Sequence, residues 1–79
     1  MADYKLVLSH IAKALVDKPD EVVVLVVDED DTSVTLELTV APDDMGKVIG
    51  KHGKIAKAIR TVMKALANSD GKRVIVDIR

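Results

Sequence analysis

Gly50 and Gly53 enclose Lys51 and His52 and follow the apolar pair Val48-Ile49. Around them, residues 46–67 carry Lys47, Lys51, Lys54, Lys57, Arg60 and Lys64 and no acid. The remainder of the chain has six basic and thirteen acidic residues, so the overall charge of −1 conceals a positive segment in a negative molecule. Glycine admits φ > 0 and lets another backbone come close. If a helix starts just after Gly53, its first amides point unsatisfied N–H groups into the loop. They lie at the positive end of the helix dipole, a place suited to phosphate. Lys51 and Lys54 add full charges beside it, and Val48, Ile49 and Ile55 offer an apolar wall for bases. The chemistry of this combination is polyanion recognition. Neither part is specific alone: two glycines at this spacing are common, and a basic stretch is also what a solvated helix face looks like.

Other chemistries fit less well. A nucleotide-triphosphate loop needs four residues between its glycines before Gly-Lys-Ser/Thr. Gly46 and Gly50 leave three, and His52 follows Lys51. With no cysteine and only His10 and His52, no transition-metal ligand set is expected. The acidic run Asp28–Asp31 lacks the glycine and downstream glutamate of a calcium loop and reads as a solvated hairpin turn. No serine has a histidine and an acid at a plausible spacing, so the expectation is a non-enzymatic protein without cofactor or metal.

The elements that must position the loop follow from periodicity. Asp3 is a plausible N-cap, after which Tyr4, Val7, Leu8, Ile11, Ala14 and Leu15 recur at helical spacing to about Val16. Leu6 falls on the opposite face. Tyr4, the only aromatic residue, is read as core rather than as a base-stacking platform, and Met45 and Met63 as core fillers. Lys18-Pro19-Asp20 ends the helix. The run Glu21–Val27 reads as a buried strand. Residues 33–41 alternate, with Val34, Leu36, Leu38 and Val40 on one face, and form a hairpin with the first strand. Pro42-Asp43 stops the second strand and opens a short helix, with Asp43 as N-cap. The glycine loop breaks this helix, a long helix runs from Lys54 to about Ala67, Asn68–Gly71 caps it, and Arg73–Ile78 is the last strand. The order is α-β-β-α-α-β in one domain over residues 1–79, without linker or repeat.

The segment Gly46-Lys47-Val48-Ile49-Gly50-Lys51-His52-Gly53-Lys54 resembles the Val-Ile-Gly-x-x-Gly signature of KH domains. The element order resembles the type II, prokaryotic KH fold over essentially the whole chain, and the chain looks most like the small stand-alone bacterial KH proteins of the KhpA type. That resemblance implies an α+β fold with a three-stranded mixed sheet and three helices on one face. It implies a loop that clamps about four nucleotides of single-stranded RNA or DNA by their backbone. It also implies RNA chaperoning or post-transcriptional control, and in some bacteria a link to cell elongation, division and shape. Carried onto this chain, the RNA-binding residues are Lys47, Val48, Ile49, Gly50, Lys51, His52, Gly53, Lys54, Ile55 and Lys57. Two positions depart from the pattern. Many KH domains have isoleucine three residues after the second glycine, whereas here that position is Ala56 and Ile55 comes one residue earlier. His52 also stands where a glycine or a basic residue is more usual.

On the long helix, Lys54, Lys57, Arg60, Thr61 and Lys64 form one arc, and apolar residues fill an arc wider than a surface helix needs to seat itself on a core. The basic arc is read as a phosphate track continuing from the loop. Ala58, Val62 and Ala65 lie at the margin of the apolar arc. They are either a dimer interface, for a homodimer or for pairing with another KH protein, or helix-forming residues that face water. The resemblance favours self-association or pairing. No apolar run is long enough to span a bilayer, and the N-terminus lacks the pattern of a signal peptide, so a cytoplasmic location without membrane contact is expected.

Overall fold

The computed structural model describes residues 3–79. The carboxylate of Asp3 accepts a hydrogen bond from the Leu6 amide at 3.1 Å and caps α1, Tyr4–Leu15. A 3-10 turn at Pro19–Glu21 leads into β1, Val23–Glu29. The hairpin turn is tied by Asp30, whose Oδ1 accepts from the amides of Thr32 and Ser33, both at 2.8 Å. These hydrogen bonds hold the Asp30 carboxyl below its usual range. β2 is Ser33–Thr39, and a second 3-10 turn, Pro42–Asp44, precedes the short helix α2, Met45–Ile49. After the glycine loop, α3 spans Lys54–Ser69 and β3 spans Arg73–Ile78. The end of α3 is closed by backbone bonds from Asp70 N–H to the Ala67 carbonyl at 3.0 Å, Gly71 N–H to the Asn68 carbonyl at 3.1 Å and Lys72 N–H to the Ala67 carbonyl at 2.9 Å.

The sheet has the order β1-β2-β3, with β1 antiparallel and β3 parallel to the central β2. It is the three-stranded mixed sheet expected, in an α+β fold of order α-β-β-α-α-β. The alternation of β2 decides which face the helices cover. Val34, Leu36 and Leu38 are buried and meet Leu8 and Ala12 of α1, Val48 of α2, and Ile59 and Met63 of α3 in one core. Burying each large aliphatic side chain contributes roughly 1.5–3 kcal/mol. On the opposite face of the sheet, Val23, Leu25 and Ile75 remain about half exposed.

The first strand differs from its expectation. It starts at Val23 rather than Glu21, continues to Glu29, and is buried only at Val24. The run of valines suggested burial on both faces, but β1 lies at an edge of the sheet and helices cover one face only. A register shift between Val26 and Asp28 inserts Val27 as an extra residue and bends the strand there.

Asp43 is not the N-cap of α2. It is exposed and pairs with Lys18 at 3.5 Å. The residue that precedes α2 is Asp44, which is 1% exposed and accepts from the amides of Asp17 at 3.3 Å and Lys18 at 3.0 Å. Asp44 thereby ties the segment after α1 to the start of α2 and fixes the base on which the glycine loop stands.

Candidate nucleic-acid interface

Between α2 and α3 the chain turns within a single 3-10 turn, Lys51–Gly53. Three residues there have positive φ: Gly50 at 76°, His52 at 59° and Gly53 at 73°. Gly50 combines its φ with ψ 173°, a region essentially restricted to glycine. A Cβ at Gly50 would lie 2.5 Å from Cγ1 of Ile55, so the first turn of α3 packs directly on the Gly50 backbone. This contact explains the position of Ile55: it wedges beneath the loop while Ala56 enters the core. At Gly53 a Cβ would meet nothing within 4 Å, so there the requirement is conformational, for the left-handed residue that starts α3.

No side chain caps the start of α3. The Lys54 amide bonds back to the Lys51 carbonyl, which leaves the next amides of the first turn facing the loop without a side-chain acceptor. Lys51, His52, Lys54 and Lys57 are exposed around this opening, and among the described residues no carboxylate pairs with Lys51, Lys54 or Lys57. The loop thus presents backbone donors, a helix dipole and mobile cations in one place, which is the chemistry a phosphodiester backbone requires.

Two of the expected contacts are placed elsewhere. Val48 is fully buried in the core, so it holds α2 down and offers no surface to a base. Lys47 hydrogen-bonds to Asp17 and lies 3.8 Å from Asp44. The hydrogen bond to Asp17 raises the pKa of its ammonium, and its charge is paired with Asp17 at the surface. Ile49 and Ile55 remain partly exposed beside the loop and form the apolar wall that remains.

Sequence reasoning missed the role of Arg60. Its Nε donates to the Val76 carbonyl at 3.1 Å, bridging α3 to the outer edge of β3. The basic arc of α3 therefore lies beside the edge strand β3. Sequence could not place this pairing, because it depends on β3 lying at the sheet edge, parallel to β2. The exposed residues Ala58, Val62 and Ala65 form a separate strip on α3, and Val62 is 52% exposed. Tyr4 is buried, as expected, and its hydroxyl donates to Asp70 across the domain.

A family model described as the KhpA/KhpB KH domain matches residues 5–78. The chain belongs to the KhpA/KhpB family of KH domains. RNA-binding protein KhpA of Clostridium acetobutylicum is 62% identical over 74 residues, which is 94% of this chain and 97% of that protein. RNA-binding protein KhpA of Clostridium perfringens is 60% identical over 68 residues, covering 86% of this chain and 89% of that protein. The Listeria monocytogenes protein of the same name is 49% identical over 74 residues, 94% of this chain and 95% of the relative. The glycine loop thus lies within a KH domain. Among the described residues, no helix is long and apolar enough to cross a membrane.

Proposed function

We propose that this protein is a non-catalytic, cytoplasmic RNA-binding module that holds single-stranded RNA at the loop Gly50–Gly53. The observation that carries the reading is the uncapped start of α3, reached through a loop with positive-φ residues and ringed by Lys51, Lys54 and Lys57, which have no ion-pair partner among the described residues. The printed names of the KhpA relatives support it. In this reading Gly50 and Gly53 admit the RNA backbone, the α3 amides and Lys51, His52, Lys54 and Lys57 hold phosphates, and Ile49 and Ile55 support bases. With one such loop and no exposed aromatic platform, affinity per domain is weak and specificity modest. A dimer gains by avidity, and RNA chaperoning or post-transcriptional control follows as the broader role.

A second reading rests on the strip Ala58, Val62 and Ala65. Small residues around an exposed valine suit close approach of another helix, in a homodimer or with a larger KH protein. In that case the protein is chiefly an adaptor in control of cell elongation. Two variants separate the readings. Lys51→Asp/His52→Asp should abolish RNA binding and leave folding and pairing intact. Val62→Asp should abolish pairing, read by sedimentation, and leave binding of a short RNA intact. If each variant loses both properties, loop and strip do not divide the work in this way.

A further inference from the structure

Among the described residues, His52 is the one residue other than glycine with positive φ, at φ 59° and ψ 24°. The left-handed region crowds a Cβ against the following carbonyl oxygen, whereas glycine adopts it freely. A residue held in such a conformation at a binding loop points to a use for its side chain. Here that side chain is an imidazole, set between Gly50 and Gly53 and exposed. Among the described residues no carboxylate pairs with it.

The charged side chains of the elements that flank the ring are all cationic. α2, which leads into the loop, carries Lys47 alone, and that charge is paired with Asp17. α3, which leads out of it, carries Lys54, Lys57, Arg60 and Lys64 and no acid. Lys51 precedes the ring in the loop itself. Asp44, at the entry to α2, is buried and accepts the Asp17 and Lys18 amides. These elements therefore offer the ring no acid that would hold a proton on it. A phosphodiester supplies what they lack. An anion within hydrogen-bond reach favours the imidazolium, which offers two N–H donors where the neutral ring offers one.

We infer that His52 takes up a proton as RNA seats on the loop and holds a backbone phosphate as an imidazolium. The proton comes from solvent and bonds to the free ring nitrogen, and no other bond forms or breaks. The inference rests on the RNA-binding reading of the loop and adds to it a dependence on pH. Histidine is the side chain whose ordinary titration lies between pH 5 and 8, while lysine and arginine keep their charge across that range. Proton and RNA each favour the binding of the other, so affinity is highest on the acid side and falls as pH rises through neutrality. At higher pH Lys51, Lys54 and Lys57 still hold the strand, with one charged phosphate contact fewer.

The test measures binding of an oligouridylate, whose bases do not titrate in this window, at about pH 5.5 and about pH 8. Wild-type affinity should be roughly tenfold higher at the acid pH, the gain of a charged over a neutral hydrogen bond. Its salt slope should be steeper there by about 0.7, for one more phosphate contact. His52→Asn keeps a residue that tolerates the left-handed backbone and a neutral donor. It should bind at both pH values with the wild type's affinity at the higher pH, and with one salt slope. His10 is the only other histidine and is exposed on α1, so His10→Asn should keep the whole wild-type response. Titration of the His52 ring by NMR, without and with the oligouridylate, follows the proton itself, and the RNA-bound ring should stay protonated to higher pH. That titration uses the wild type and decides the matter if His52→Asn fails to fold. Equal wild-type affinity at both pH values, a response that survives in His52→Asn, or a ring titration that RNA leaves unmoved overturns the proton uptake while the loop reading stands. No binding by the wild type at either pH overturns both.

Discussion

A side chain at Gly50 meets two obstacles, and one at Gly53 meets a single obstacle. At Gly50 a Cβ would sit 2.5 Å from Ile55 and the backbone lies at φ 76°, ψ 173°. Gly50→Ala should therefore cost about 2–4 kcal/mol, combining backbone strain with overpacking. Gly53→Ala meets open space and should cost about 1 kcal/mol for its left-handed φ alone. Urea unfolding of the two variants checks the order. Tyr4 gives a second prediction at this scale. Its hydrogen bond to Asp70, with burial and the Asp70 charge, pushes the hydroxyl from 10.0 up to about 12. A group raised on folding contributes stability that is complete below its unfolded pKa and is lost as pH rises through the folded one. Wild-type stability should fall between about pH 10 and 12, and Tyr4→Phe should lack that component. The burial of Tyr4 was legible from its place in the helical pattern. Its partner, 66 residues away, was not, because nothing local to either residue encodes the contact.

Among the elements, the two that flank the loop are held by a residue the sequence did not mark. Asp44 is buried, accepts the Asp17 and Lys18 amides and lies beside Lys47. Asp44→Ala should cost about 1–3 kcal/mol, since it strands two donors and leaves Lys47 with Asp17 alone. Asp44→Asn should recover part of that by keeping an acceptor, and thermal unfolding of both variants measures the difference. Asp43 and Asp44 are indistinguishable as cap candidates from sequence, because the choice depends on where the end of α1 returns in space. β1 shows the same limit. Its β-branched run marked a strand, but its exposure is set by the edge position and by helices that reach only Val24. The strict alternation of β2 and the broad apolar arc of α3 were legible because each encodes its own buried face.

Across the whole molecule, composition hid what position revealed: the net charge of −1 averages a basic loop-and-helix segment against acidic turns and a hairpin. The element order was legible from periodicity, whereas the mixed sheet came only from the KH resemblance, and the parallel pairing of β3 at the sheet edge places the Val76 carbonyl within reach of Arg60. The three sectors of α3 divide the surface into a basic face, an exposed apolar strip and a core face. The central claim is that the glycine loop is the RNA clamp, and salt dependence tests it most directly. Binding of a labelled unstructured RNA should weaken with salt in the wild type, with a slope near −0.7 for each phosphate contact. The folded Lys51→Asp/His52→Asp variant should not bind. Equal binding by both proteins, or a wild-type affinity indifferent to salt, would contradict the account.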